Sequence, residues 1–198
     1  MKLLIKIKCL ISNACRQRGE IVSEYELIKR CIEGDRDSFD NLLKSRSEKM
    51  YKIAFSYVKN QDLALDVVSE ATFKCYINIK KIKNVEYFDT WLCKIVINEA
   101  LSMLKKQKKV ISIEDYKKDI ESKVNLNIEE KIDLYYALDK LKKDEKKILV
   151  LKHFADLTFA DISKVMIKSE NTVKTTYYRA LDKAKKYFKE DRYGLKRL

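Results

Sequence analysis

Two small, all-α helical domains joined by a flexible linker are what this sequence predicts, on three observations. With three Gly and no Pro in 198 residues, few positions can stop a helix or turn a sheet. Apolar residues recur at spacings of three and four through both halves of the chain, the period of helices with one buried face. Between residues 107 and 129 that period fails, and Ser, Asn, Asp, Glu and Lys fill a stretch too long for the loop of a compact domain. The division that follows is an N-terminal extension at 1–23, a first domain at 24–106, the linker at 107–129 and a second domain at 130–198.

Composition narrows the partners and excludes most chemistry. A formal charge of +13 and a pI near 9.3 point to nucleic acid or a negative membrane surface, or to a merely basic protein. Five Cys are odd in number and contain no C-x-x-C pair, which suits reduced thiols in a cytoplasmic protein. His153, the single histidine, stands sixty residues beyond Cys93, so no zinc site is expected. A Gly-rich phosphate loop and a spaced nucleophile–base pair are also missing, and neither enzyme activity nor a metal or cofactor is expected. Lys2, Lys6 and Lys8 interrupt the apolar start, which argues against a membrane anchor and against a signal peptide. Residues 1–23 read either as a loosely docked extension or as the product of an upstream translation start.

In the first domain Tyr25, Leu27, Ile28, Cys31 and Ile32 share one side of a helix that Gly34 ends. Asp35 or Asp37 caps the next, whose stripe is Phe39, Leu42, Leu43, Met50, Ile53, Ala54, Tyr57 and Val58. Asn60 and Asp62 mark a turn. The following helix should bury Val67, Ala71 and Ile77 or Phe73, leaving Asp66 and Glu70 one turn apart on another face. A solvated face is the plain reading of such a pair. A basic loop follows, from Asn78 with Lys80, Lys81 and Lys83, and then a helix opened by Phe88, Asp89, Thr90 and Trp91. Asn98, among Ile95, Val96, Ile97 and Leu101, must find a hydrogen-bond partner or reach a surface, because an unsatisfied buried amide costs roughly 1–3 kcal/mol.

The second domain begins with a helix carrying Ile132, Leu134, Tyr135, Leu138 and Leu141. A second carries Ile148, Leu149, Leu151 and Phe154, with Asp144 as its expected cap. Thr158 and Asp161 have capping-box spacing ahead of Ile162, Val165 and Met166. Ser169 caps a further helix after a turn of about three residues. That helix bears Asn171, Thr172, Lys174, Thr175, Tyr178 and Arg179, so 158–179 is a helix-turn-helix candidate, with an ordinary αα-hairpin as the structural alternative.

Two stretches resemble the bacterial sigma-70 family in its small extracytoplasmic-function branch. The first is A-x-D-V-V-x-E-A from Ala64, followed by F-x-T-W-L-x-x-I-x-x-N from Phe88, which is similar to region 2. The second, with Leu157, Ile162, Met166, Thr172, Val173, Lys174, Arg179 and Ala180 in register, is similar to region 4. The resemblance implies an alternative sigma factor that binds the beta-prime and beta subunits of RNA polymerase core and directs initiation at particular promoters. It implies core binding by Asp66, Val67 and Glu70. It implies handling of the opened minus-ten element by Asn78, Lys80, Lys81, Lys83, Phe88, Trp91 and Asn98. Reading of the minus-thirty-five duplex is implied for Ser169, Asn171, Thr172, Lys174, Thr175, Tyr178 and Arg179, together with control by a cognate anti-sigma factor that is often membrane-bound. The chain departs from the pattern at Ser69 for a Gln, Ile167 for the turn Gly, Asn171 for a second Gly and Thr176 for an Arg, which bears on promoter reading. A helix-turn-helix regulator acting without polymerase would account for 130–198 but leaves the first half unexplained.

Overall fold

The computed structural model describes residues 23–110 and 129–192, with side chains over 23–107 and 134–187. The extension before Ser23, most of the expected linker and the Ile132 side chain lie outside the described residues. Among those described, every regular element is helical: α1 (Glu24–Glu33), α2 (Arg36–Val58), α3 (Gln61–Asn78), single 3-10 turns at Ile79–Lys81 and Val85–Tyr87, α4 (Phe88–Val110), α5 (Glu129–Asp139), α6 (Lys143–His153), α7 (Phe159–Met166) and α8 (Glu170–Arg192).

Polar caps set the helix starts. Ser23 Oγ accepts from the Glu26 amide, Asp35 from Asp37 and Ser38, and Asn60 from Leu63, each satisfying an amide that the helix leaves without a partner. Of the two caps considered for α2, the chain uses Asp35, and its bonds from the Ser38 hydroxyl and amide hold that carboxyl below its ordinary range. Gly34 ends α1 at φ 104°, a backbone conformation that costs Gly nothing. Asp144 does not cap α6: the helix starts at Lys143 after Lys142 as N-cap, and Glu145 accepts from the Lys142 amide at 3.0 Å. Asp144 instead pairs with Lys168 at 2.5 Å.

Helices α2, α3 and α4 pack on one another with α1 against α2, while α5, α6 and α7 pack on α8. Leu42, Met50, Ile53, Val67, Phe88, Val96 and Ile97 fill the first core, and Ile148, Leu151, Ile162 and Val173 the second, all at most 2% exposed. Each such side chain contributes about 1.5–3 kcal/mol by leaving water. Arg46 clamps the first bundle: its Nε and Nη2 reach the two Asp89 oxygens at 2.8 and 3.3 Å, and it also pairs with Glu24. One guanidinium thereby joins α1, α2 and the start of α4.

The buried side of α3 is the expected one at Val67 and Ala71 but not at its third position. Ala64, Val67, Ala71 and Cys75 face the core, whereas Phe73 and Ile77 are 58% and 54% exposed. Small residues in the seam let α3 approach α2 and α4 closely, so its large apolar groups are left outside. Tyr25, expected inside, is also exposed.

Candidate protein-docking and nucleic-acid surfaces

The outward side of α3 combines Leu65, Phe73 and Ile77 with Asp66, Ser69 and Glu70, all exposed. Asp66 and Glu70 do share a face, and they line a groove against α4 with Ser69, Glu99, Ser102, Met103 and Lys106. Lys74 crosses this groove, 2.7 Å from Glu99 and 3.7 Å from Glu70, and the Glu99 hydrogen bond raises its pKa. Exposed apolar groups gathered beside carboxylates suit a protein partner with an apolar and basic surface. Val67, expected to touch a partner here, is fully buried and supports the face from beneath. Leu65 and the outward Phe73 and Ile77 are docking candidates that sequence reasoning missed, although their 65, 69, 73, 77 spacing is a helical stripe in its own right.

The basic loop after α3 consists of the two 3-10 turns, with Asn84 Oδ1 accepting from the Glu86 amide at 3.0 Å. Lys80, Lys81 and Lys83 are exposed. Asn78 is held locally: its amide donates to the Lys74 carbonyl at 2.9 Å, and its oxygen accepts from Lys81 Nζ at 2.7 Å. The Lys80 ammonium lies over Gly34, at the negative end of α1. Asn98 reaches the surface of α4, and Trp91 is half-buried. Phe88, expected to meet an unstacked base, is fully buried, with its ring 6.1 Å from that of Trp91. It is a hydrophobic anchor of α4 and, as packed here, presents no surface to nucleic acid.

Around the helix-turn-helix the geometry follows the pattern. Thr158 and Asp161 form the reciprocal capping box, Ser169 Oγ accepts from the Thr172 amide at 3.2 Å, and Val173, Tyr177 and Ala180 seat α8 on its neighbours. Ser169, Asn171, Thr172, Thr175, Tyr178 and Arg179 are exposed and Lys174 half-buried. Thr175 and Thr176 donate back to the Asn171 and Thr172 carbonyls at 2.9 and 2.7 Å. Lys174 pairs with Glu170 at 2.6 Å. Lys142, Lys143 and Lys168 join Arg179 and Thr176 around a concave patch beside α8 that Asp144 and Glu145 also line, with Lys168 paired to Asp144; their separation in sequence hid them. The turn departs in kind: Ile167, where a Gly is usual, takes φ 55° and is 86% exposed. A β-branched residue there is strained by roughly 1–3 kcal/mol.

No reactive thiol accompanies these surfaces among the described residues. Burial pushes Cys31 up to about 11, and Cys75 and Cys93 up to about 12, so all three stay protonated and unreactive at neutral pH.

Comparison with known proteins agrees with both halves. Sigma-70 region 2 matches residues 42–110, and Sigma-70, region 4, matches residues 131–183. The RNA polymerase sigma factor SigV of Bacillus subtilis is 39% identical over 134 residues, 68% of this chain and 81% of that protein. The RNA polymerase sigma-H factor of Pseudomonas aeruginosa is 28% identical over 81% of this chain and 93% of its own length. The ECF RNA polymerase sigma-E factor of Haemophilus influenzae is 24% identical over 82% and 93%. Among solved structures, CnrH in complex with the cytosolic domain of CnrY shares the fold at a TM-score of 0.68 and 16% identity, covering 85% of this chain and 98% of CnrH. The chain belongs to the sigma-70 family of RNA polymerase sigma factors, in its extracytoplasmic-function branch. The region 2 match accounts for the half that a free-standing helix-turn-helix regulator leaves without a purpose.

Proposed function

We propose that this alternative sigma factor divides its work between the two surfaces. The α3 face, through Asp66 and Glu70 with Leu65, Phe73 and Ile77, docks on RNA polymerase core. The observation that carries this is the exposure of three large apolar side chains beside two carboxylates on one helix face. Exposed apolar surface is stabilised by a protein partner and not by DNA, which would also be repelled by the carboxylates.

The loop with Lys80, Lys81 and Lys83, followed by Trp91 and Asn98, handles the opened minus-ten strand. The lysines supply phosphate contacts and Asn98 a polar base contact, in the manner of single-strand grooves. Helix α8 enters the major groove of the minus-thirty-five element, with Arg179, Thr172 and Thr175 toward bases and Lys142, Lys143 and Lys168 toward phosphates. Proteins of this class are non-catalytic initiation factors. Among the described residues no helix is long and apolar enough to cross a membrane, and we assign the chain to the cytoplasm. Complexes such as CnrH with CnrY, and the sigma factor RpoE with the anti-sigma factor NepR of Bartonella quintana, support control of this chain by its own anti-sigma factor. Run-off transcription on genomic fragments with purified core polymerase tests the reading. Discrete transcripts that require the added chain are expected; none above core alone would refute it.

A further inference from the structure

Helix α6 opens with two consecutive acids, and each reaches the recognition helix or its turn. Asp144 accepts from Lys168 Nζ at 2.5 Å, just ahead of α8. Glu145 accepts from Lys183 Nζ at 2.6 Å through Oε1 and from the Lys142 amide at 3.0 Å through Oε2. Lys183 stands one turn beyond Arg179, on the side of α8 that also carries Thr172, Thr176 and Arg179 at spacings of four and three. Thr176 and Arg179 lie between the two ties and line the concave patch with Lys142 and Lys143.

The two acids differ in their surroundings. Asp144 is exposed, where an ion pair contributes little. Glu145 is 5% exposed, the one charged side chain that is buried among the described residues. Burial pushes its carboxyl up, but the hydrogen bonds from Lys183 and the Lys142 amide outweigh burial and leave the pKa lowered. The group is therefore a carboxylate at neutral pH. Packing alone does not call for it. Ile148 and Leu151 of α6 and Val173 and Ala180 of α8 are already fully buried, and an apolar residue in place of a buried ion pair is often as stable or more so. What a buried carboxylate with two fixed donors adds is a single geometry in place of several.

We propose that Glu145 is a positioning residue for promoter reading: through Lys183 it fixes the rotation of α8 against the start of α6, so that Arg179 meets the minus-thirty-five bases while Lys142 and Lys143 hold the phosphates. The proposal rests on the assignment of α8 to that element given above. Phosphate contacts set where a protein sits on a duplex, and base contacts discriminate sequence only in register with them. Glu145 holds the reading helix by one oxygen and the backbone of Lys142 by the other, so a single carboxylate ties the two sets of contacts together.

Three variants of the full-length chain, each assembled with core polymerase, test this. Glu145→Gln keeps an acceptor for the Lys142 amide, Lys183→Met keeps the apolar stem without the donor, and Lys183→Arg keeps a donor. The probes are a promoter duplex identified from the parent's run-off transcripts and the same duplex with its minus-thirty-five element scrambled. Both affinities are measured, with circular dichroism to confirm folding. Glu145→Gln and Lys183→Met are expected to lower the ratio of the two affinities by about tenfold, through loss on the promoter duplex, and Lys183→Arg to keep the parent ratio. An unchanged ratio in folded Lys183→Met overturns the proposal. So does an equal loss on both duplexes, which would make Lys183 an ordinary phosphate contact. Should Glu145→Gln fail to fold, Lys183→Met, at a partly exposed side chain, decides alone. A parent holoenzyme that does not distinguish the two duplexes overturns the assignment of α8 and this inference with it; a parent that distinguishes them, with variants that match it, overturns this inference only.

Discussion

The outward faces of α3 and α8 are built from opposite materials. On α3, Leu65, Phe73 and Ile77 stand more than half exposed beside Asp66 and Glu70. On α8 the exposed groups include Asn171, Thr172, Thr175, Tyr178 and Arg179 with an acid, Glu170, and Lys142, Lys143 and Lys168 stand alongside with Asp144 and Glu145. The net charge of +13 is therefore a poor guide to any one surface. An apolar and acidic face is suited to a protein partner, and a polar and cationic one to a polyanion, so a single chain can bind two kinds of macromolecule without the sites competing.

The comparison breaks most visibly at α3. Asp66→Lys with Glu70→Lys, folded by circular dichroism, is expected to weaken core binding by about 1.5–3 kcal/mol for each charge-assisted hydrogen bond that the reversal removes. Unchanged affinity for core in a fluorescence titration would return the pair to an ordinary solvated face. At α8 the expected change has the other sign. Thr176→Arg adds a long cationic donor and should tighten binding of the minus-thirty-five duplex by about 1–3 kcal/mol. Lys174→Ala should weaken it and reduce the slope of log affinity against log salt by roughly one unit if the lysine meets phosphate alone. An effect confined to one base-pair position would mark Lys174 as a base reader.

Smaller effects sharpen the same division. Asn98→Ala should spare closed-complex formation and lower permanganate reactivity of the opened minus-ten element; equal loss of both would make Asn98 structural. Ile167→Gly should relieve the left-handed turn and raise unfolding stability by about 1 kcal/mol, read as a shifted urea midpoint with unchanged slope. A destabilised variant would mean that the Ile167 side chain is held by interactions stronger than its strain.

Helix existence and order were legible in the sequence because period, caps and breaks agreed: Ser169 and the Thr158–Asp161 box cap where their spacing put them, and Asn60, read as a turn, separates two helices and also caps the second. What the sequence hid was direction. Period identifies an apolar stripe but does not say that small residues such as Ala64, Ala71 and Cys75 will form the seam while Phe73 and Ile77 face outward. The partner contacts assigned to Val67 and Phe88 came from motif position alone, and both side chains are buried, Val67 where the helical period put it. Asp144 failed as a cap because Glu145, one residue later, reaches back to the Lys142 amide. The cluster of Lys142, Lys143 and Lys168 around Asp144 and Glu145 exists only once α6 and α8 are packed.

The central claim is that α3 holds polymerase and α8 holds the promoter, and one paired measurement tests it most directly. Holoenzymes assembled with Asp66→Lys and Glu70→Lys, or with Arg179→Ala and Lys174→Ala, are compared for core affinity and for minus-thirty-five-dependent promoter binding. The account predicts that the first pair of substitutions lowers affinity for core by at least about tenfold, and that the second leaves assembly intact while promoter binding falls by at least about tenfold. Full assembly by the α3 variant, or failure of the α8 variant to bind core, would contradict it.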